Sequence, residues 1–244
     1  MRPEPSRSTP ITSTPITTNA PGTTPTTGPT RKCGARPGGE SAPAASHLPH
    51  CQLHANICVC DQCQAVANGT PITVIQHPTE VGRSKGTLRI LERCLGQVQV
   101  VVGESPEQLQ QAGLSSADLN ASTAVLFPGP ASQPLEEANT SAIKSWLLLD
   151  GTWRKAAKIL HLNPHIAALP RFHFAHPPTS QYVVRKAPAE HHLSTAEAAA
   201  YLLKTLEPGL NVQPINTAMA ALVDKQLGQI PPKLRNRYQK TEER

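Results

Sequence analysis

One short stretch of the sequence combines the residue types that a reactive site needs. The apolar run Trp146–Leu149 leads directly into Asp150, and Gly151, Thr152 and Trp153 follow. A carboxylate that leaves a buried strand can accept a proton, and an indole beside it can stack on a nucleobase or cover an apolar ligand group. The pattern therefore predicts a ligand site that contains Asp150.

The same residues also fit a structural role. The spacing of apolar residues predicts a helix from Trp153 to Leu162. Asp150 or Thr152 would then cap the N-terminus of that helix, and Trp153 would pack in the core. The structural role and the ligand site are compatible, and the sequence leaves both open.

A second group of reactive side chains is a cluster of cysteines. Four of the six cysteines lie between Cys51 and Cys63, with His47, His50 and His54 nearby. Such a cluster suits tetrahedral zinc, whereas six cysteines in a chain of this length do not make a secreted disulfide framework. We therefore predict a zinc site and a reducing, cytoplasmic location. The predicted metal ligands are Cys51, Cys58, Cys60 and Cys63.

Several apolar runs that end at turn residues predict the strands that position these groups. The predicted strands cover residues 71–76, 98–102, 123–127, 146–150 and 182–185. The predicted helices cover about residues 86–95, 153–162, 195–206 and 216–227. Continuous apolar strands that alternate with helices favour an α/β fold, with a mostly parallel sheet and helices on both faces. Ligands of such sheets bind beyond the carboxyl ends of the strands, where His77-Pro78, Pro128–Pro130 and Asp150–Thr152 fall.

Composition divides the chain into four parts. Residues 1–46 hold nine of the 25 prolines and ten threonines, which predicts a disordered tail because such a segment buries too little apolar surface. Residues 47–70 form the Cys-rich, zinc-ribbon-like segment, residues 71–230 the α/β domain, and residues 231–244 a basic flexible tail.

Charge and hydropathy narrow the classes of partner. The net charge of +6 suits a polyanion such as RNA without requiring one. The sequence contains neither an apolar run long enough to span a bilayer nor an apolar signal segment, so we expect no membrane association. The glycine-rich nucleotide signatures G-x-G-x-x-G and P-loop are also missing.

Further motifs follow one another in order along the chain. They are His77-Pro78-x-Glu80, Phe127-Pro128-Gly129, Asp150-Gly151-Thr152-Trp153, Asn163-Pro164, Leu169-Pro170-Arg171, Ser180-x-Tyr182-x-x-Arg185 and Ser194-Thr195-x-Glu197-Ala198. This ordered set, over about residues 48–227, resembles the DTW-domain family, which is named for Asp-x-Thr-Trp. The resemblance implies transfer of the 3-amino-3-carboxypropyl group of S-adenosylmethionine to N3 of a tRNA uridine. It also implies the knotted SPOUT fold of RNA methyltransferases.

For that reaction, we expect Asp150 to remove the N3 proton. Arg185 would hold a carboxylate or phosphate, or else lie on the surface, and Glu197 would bind the amino group of the donor, or else help to start a helix. The residues expected to bind the donor are Phe127, Pro128, Gly129, Thr152, Trp153, Tyr182, Arg185, Thr195 and Glu197.

The cysteine pattern departs from the family. The family shows C-x-x-C ahead of C-x-C, whereas Leu48 stands where the first cysteine would be. Cys63, His47, His54 or Cys33 would then supply the fourth zinc ligand.

Two other functions fit the same sequence. One is an S-adenosylmethionine-dependent RNA methyltransferase, because a scaffold does not fix which carbon is delivered. The other is a non-catalytic RNA-binding protein with a zinc ribbon, against which the intact set of Asp150, Thr152 and Trp153 argues.

Overall fold

Six strands form one sheet in the computed structural model, which describes residue 51, residues 53–184 and residues 193–235. The strands are β1 (Ile72–Gln76), β2 (Val98–Val102), β3 (Thr123–Leu126), β4 (Gln133–Pro134), β5 (Ser145–Asp150) and β6 (Arg171–His173). Their order is β2-β1-β5-β3-β6-β4, and every neighbouring pair is parallel. The predicted tail over residues 1–46 lies outside the described residues, as do residues 236–244 of the predicted basic tail.

Helices cover both faces of the sheet. They are α1 (Leu88–Cys94), α2 (Pro106–Gln111), α3 (Trp153–Leu162), α4 (Pro164–Ala167), α5 (Thr195–Leu206), α6 (Gln213–Gly228) and α7 (Pro232–Arg235). Helices α2, α3 and α4 pack against Ile75 and Leu147 on one face. Helices α1, α5 and α6 pack against Val74 and Leu148 on the other. Neighbouring residues of a strand thus serve opposite cores, as the pleat requires, and the predicted parallel α/β fold is confirmed.

The Cys-rich segment packs onto this core. Leu53, Ile57 and Val66 are buried in the same apolar cluster as α1 and α6. Val66 also makes a parallel bridge with Leu95, just after α1. The segment therefore adds to the face of the sheet that α1, α5 and α6 cover.

One predicted strand is wrong. Tyr182 to Val184 pair with no strand of the described part of the chain, although the run is apolar. The Tyr182 N–H donates to Ser180 Oγ at 3.1 Å, and the Val183 N–H donates to the Gln181 carbonyl at 2.9 Å. These local hydrogen bonds occupy the backbone N–H groups of Tyr182 and Val183, which a strand would use to pair with its neighbour. Arg185 lies outside the described residues.

The connections around β1 and β5 open a crevice. These two strands are neighbours near the middle of the sheet. The chain leaves β1 towards α1 on one face and leaves β5 towards α3 on the opposite face. Ligand sites of open parallel sheets lie at such divergences, beyond the carboxyl ends of the strands. Within the described ranges, each helix is too short or too polar to cross a membrane.

Candidate active site

A buried carboxylate stands at the carboxyl end of β5. Asp150 is only 6 % exposed, and its Cα lies opposite that of Gln76 at the end of β1. Its Oδ2 accepts a hydrogen bond from Gln76 Nε2 at 2.9 Å, and its Oδ1 accepts one from Thr195 Oγ1 at 2.6 Å. Two neutral donors from β1 and α5 therefore fix the carboxylate in the crevice.

The N-terminus of α3 is capped by Thr152 and not by Asp150. Thr152 precedes α3, and its Oγ1 accepts a hydrogen bond from the Lys155 N–H at 3.4 Å. Of the two caps that the sequence allows, the structure thus uses Thr152, which leaves Asp150 for other contacts. Gly151 permits the turn between them, because a Cβ there would lie 3.2 Å from Lys155 Cβ and 3.6 Å from His77 Cβ.

Gln76 is a member of the site that the sequence analysis missed. Its side chain is buried, with the residue 3 % exposed, and its Oε1 has no hydrogen-bond partner among the described residues. A buried acceptor without a donor is costly, so this atom indicates a group that a ligand or water would supply. The available signal was an amide at the end of a mostly apolar strand, directly before the His77-Pro78 turn.

An aromatic pair lies at the same edge of the sheet as the carboxylate. Trp153, the first residue of α3, is 42 % exposed, and its ring centroid lies 5.3 Å from that of Phe127, after β3. Trp153 therefore does not pack in the core in the way that the structural interpretation of the sequence expects. The tryptophan in the core is Trp146, which is 1 % exposed and packs on Phe172. The indole of Trp153 is thus exposed to solvent at the start of α3.

The turn after β3 is held by its own hydrogen bonds. Ser132 Oγ accepts from the Gly129 N–H at 3.0 Å, and Pro128 is exposed. The side chain of Arg171 lies against this turn, because a Cβ at Gly129 would be 2.9 Å from its Nη1. Phe127, Pro128 and Gly129 thus border the carboxyl edge of the sheet, and their role in binding the donor stays a prediction.

His77 braces the loop after β1. Its Nδ1 accepts a hydrogen bond from the Thr79 N–H at 3.2 Å, so the Nε2 carries the proton and faces Glu104. Glu104 also pairs with Lys158 at 2.5 Å, and this hydrogen bond holds the pKa of the Glu104 carboxyl below its usual range. The network ties the ends of β1 and β2 to α3, which gives His77 a structural role.

Glu197 and Tyr182 are occupied by contacts within the chain. The Glu197 carboxylate accepts hydrogen bonds from the Ser194 N–H at 2.8 Å, the Gln181 N–H at 2.6 Å and Ser180 Oγ at 2.9 Å. It therefore completes a capping box at the start of α5 and holds residues 180–181 there. The Tyr182 hydroxyl is 3.0 Å from both the Lys85 carbonyl and Gln226 Oε1. Both side chains position the segment that precedes Arg185.

Three of the four predicted metal ligands come together. The Sγ atoms of Cys51, Cys58 and Cys60 all lie within 4.8 Å of one another, and those of Cys51 and Cys58 are 3.7 Å apart. Tetrahedral zinc with bonds of about 2.3 Å places two sulfurs roughly 3.8 Å apart, so the geometry fits this metal. Burial raises the pKa of the Cys51 thiol and so disfavours the thiolate, whereas the positive charge of a bound cation would favour it.

Cys63 stands outside that group. Its Sγ lies 3.4 Å from the Val59 carbonyl and shares a hydrogen bond with Cys94. The hydrogen bond with Cys94 and the burial of the thiol both raise the pKa of Cys63. His54, another predicted alternative, accepts a hydrogen bond at Nδ1 from the Asn56 N–H at 3.3 Å. His47 and Cys33 lie outside the described residues.

A separate cleft of about 270 Å³ lies at the opposite edge of the sheet. Its lining includes Thr73, Thr123 and Ser145, near the amino ends of their strands. It is therefore remote from Asp150.

The fold and the site together define a parallel α/β domain with a candidate ligand site at the carboxyl edge of its sheet. The chain belongs to the DTW domain family, whose model matches residues 49–227. It is 35 % identical over 160 residues to the tRNA-uridine aminocarboxypropyltransferase 2 of Drosophila melanogaster. The matched region covers 62 % of this chain and 64 % of the relative. It is 28 % identical over 181 residues to the protein of that name from Macaca fascicularis. This second match covers 71 % of this chain and 61 % of the relative.

The matches to both relatives thus span less than two thirds of their length. No solved structure matches the chain.

Proposed function

We propose that this chain transfers the 3-amino-3-carboxypropyl group of S-adenosylmethionine to N3 of a uridine in tRNA. The observation that carries the proposal is the buried Asp150 carboxylate, held by Gln76 and Thr195 beside an exposed indole. The names of the curated relatives support the same reaction class.

The reaction needs a base, because neutral uridine is a poor nucleophile. Asp150 takes the N3 proton, the N3 lone pair forms a bond to the γ-carbon of the methionine moiety, and the bond from that carbon to the sulfonium sulfur breaks. Its electron pair stays on sulfur, and 5′-methylthioadenosine leaves. General bases typically contribute about 10²–10⁴-fold to such steps.

Positioning decides which carbon is delivered. The γ-carbon, and not the methyl group, must face N3 within a few ångströms for this transfer to dominate. Trp153 and Phe127 offer a tilted aromatic surface that an adenine or uracil ring can stack on. The turn at Pro128 and Gly129 would contact the adenosine end of the donor. Thr195 contributes by orienting Asp150.

The cysteine group would hold zinc in a structural role. Cys51, Cys58 and Cys60 provide three soft ligands at suitable spacing. Such an ion would fix the Cys-rich segment where it packs on α1 and α6. The knotted SPOUT topology and the cytoplasmic location expected from the sequence stay predictions.

The purified full chain, incubated with S-adenosylmethionine and unmodified tRNA, tests the proposal. Chromatography should detect 5′-methylthioadenosine only when tRNA is present, and mass spectrometry of the nucleosides should detect an aminocarboxypropyl adduct on uridine. Formation of S-adenosylhomocysteine with a methyl adduct would instead establish a methyltransferase. Binding of tRNA with neither by-product would favour the non-catalytic alternative.

A further inference from the structure

The segment that follows Asp150 contains no acidic residue. Residues 151–189 include neither aspartate nor glutamate, although the chain has 17 of them, and they include six lysines and arginines. Helices α3 and α4 and strand β6 lie in the part of this segment that the structure describes. Positive charge is therefore concentrated beside the candidate site, and acids from other elements decide how much of it is neutralised.

Neighbouring elements neutralise two of the cations on α3. Lys155 pairs with Glu80 at 2.6 Å, and Lys158 pairs with Glu104 at 2.5 Å. Arg154 is exposed and forms no ion pair or hydrogen bond with any residue that the structure describes. Its guanidinium is therefore available to a negatively charged partner.

Arg154 also stands where a positive charge destabilises the free protein. It is the second residue of α3, whose first turn holds no acid. The N-terminus of a helix carries a partial positive charge, so a cation is unfavourable there and an anion favourable. Glu80 compensates for Lys155, whereas no acid among the described residues compensates for Arg154. Local conflicts of this kind are typical of functional sites, and a negatively charged partner would resolve this one.

The exposed side of α3 joins this charge to an aromatic ring. Arg154, Lys158 and His161 are spaced four and three residues apart, so they lie in one row on the helix that is about 10 Å long. All three are exposed, and the side chain of Lys158 stays 57 % exposed despite its ion pair. The row begins beside Trp153, whose indole is exposed as well. These four residues are called the α3 face below.

We propose that the α3 face binds the RNA strand that carries the target uridine, with Arg154 on a phosphate and the Trp153 indole on a base. The inference rests on the proposed function, because a uridine whose N3 reaches Asp150 brings its neighbouring nucleotides to this edge of the sheet. Basic and aromatic side chains together suit single-stranded nucleic acid, since phosphates pair with cations and bases stack on rings. An acidic peptide would use the charges and not the ring.

Binding of unmodified tRNA to the full chain at several salt concentrations tests the proposal. Loss of one phosphate contact should make the dependence of log affinity on log salt shallower by about 0.7–0.9. For a contact that contributes nothing at 1 M salt, this slope amounts to about 5- to 8-fold weaker binding at 0.1 M salt. Arg154→Gln should show both changes, while its calorimetric affinity for S-adenosylmethionine should stay within about twofold of the wild type.

Lys204→Gln is the matched control. It removes one positive charge from the exposed end of α5. Glu207, three residues later, accepts hydrogen bonds from the Gly69 and Thr70 N–H groups just before β1. Lys204 thus lies near the amino edge of the sheet, far from Asp150, and its loss should leave the salt dependence unchanged.

Two further variants separate the parts of the α3 face. Trp153→Ala should weaken tRNA binding by about fivefold or more without changing the salt dependence, since stacking on a base releases no counterions. Arg154→Glu should weaken tRNA binding more than Arg154→Gln does and yet raise Tm by about 1–4 °C, because a carboxylate suits the first turn of a helix. A lower Tm in Arg154→Glu would mean that the arginine stabilises the free protein, and would count against the proposal.

Three results would overturn the inference. An unchanged salt dependence in Arg154→Gln would exclude a phosphate contact, an equal change in Lys204→Gln would mean that tRNA responds to net charge alone, and a loss confined to S-adenosylmethionine would assign Arg154 to the donor. Wild-type protein that binds tRNA as expected but forms no 5′-methylthioadenosine supports the α3 face and refutes the proposed reaction. Absence of tRNA binding refutes both, and would leave an acidic protein as the partner of this face.

Discussion

Replacing Asp150 by asparagine separates the proposed base from its structural surroundings. The carboxylate accepts hydrogen bonds from Gln76 Nε2 and Thr195 Oγ1. In Asp150→Asn, the amide oxygen can still accept from Gln76, while the amide nitrogen donates to the Thr195 hydroxyl, which can rotate to accept. Both contacts survive, so the variant should keep its fold and its site geometry.

The two expected magnitudes are therefore very different. Hydrogen bonds to a neutral group are weaker than those to a carboxylate, but burying a charge also has a cost, so the free energy of unfolding should change by about 1 kcal/mol or less. That corresponds to roughly 2–4 °C in Tm for a domain of this size. The loss of a general base should lower kcat by about 10²–10⁴-fold, or about 3–5 kcal/mol in activation free energy.

The assay is single-turnover formation of 5′-methylthioadenosine on tRNA, together with a thermal melt and a binding isotherm for S-adenosylmethionine. Asp118→Asn is the matched control. The Asp118 carboxylate accepts from the Ser115 N–H near the opposite edge of the sheet, so that variant should keep the wild-type kcat. Raising the pH should partly restore Asp150→Asn, because uridine N3 then loses its proton to solvent. A wild-type kcat for Asp150→Asn at neutral pH would refute the base assignment.

Three further groups of substitutions test separate parts of the structure. Trp153→Ala should lower Tm only slightly but weaken ligand binding roughly tenfold or more in calorimetry. Trp146→Ala should lower the free energy of unfolding by about 3–5 kcal/mol in chemical denaturation. Equal destabilisation by the two substitutions would contradict the exposures of the two side chains. Metal analysis should find zinc lost in Cys60→Ser and retained in Cys63→Ser, and loss in both would make Cys63 a ligand. Burial alone would raise the pKa of Glu136, but two backbone N–H groups and a tyrosine hydroxyl hold it low. The stability that this carboxylate provides at neutral pH is therefore lost as the pH falls below about 4.3, and Glu136→Gln should flatten that acid limb of the unfolding free energy.

The long apolar runs were the most predictable part of the fold. The observed α3 has the predicted bounds, Trp153–Leu162, and α5 matches the prediction as well. These segments carry a strong local pattern, because burial on one or both faces dictates their apolar residues. The same reasoning gives a parallel sheet with helices on both faces, which the structure confirms.

Short elements escaped prediction for different reasons. The strand Arg171–His173 carries two basic residues in three positions, and Gln133–Pro134 is too short to have a pattern. These strands form because β3 and then β6 offer an edge to pair with, which is a tertiary effect. Helix Pro106–Gln111 did have a readable signal, since Ser105 and Gln108 form a capping box with proline at the first position.

The candidate site was predictable in its residue types and not in its contacts. Asp150, Thr152 and Trp153 stand together in the sequence, so their importance could be inferred locally. The hydrogen bonds that fix Asp150 come from residues 74 positions earlier and 45 positions later. Which side chains meet across such distances depends on strand order and register, and a one-residue slip of β1 would turn Gln76 to the other face.

This arrangement makes the carboxylate sensitive to the assembly of the whole domain. Asp150 receives its donors from the end of β1 and the start of α5, and Glu197 holds that start through Ser180 and Gln181. Loosening any of these elements frees the carboxylate to rotate, even though none of their backbones takes part in the reaction. Since misplacement by about 1 Å can cost roughly a hundredfold in rate, substitutions at Glu197 should lower kcat more than their effect on Tm suggests.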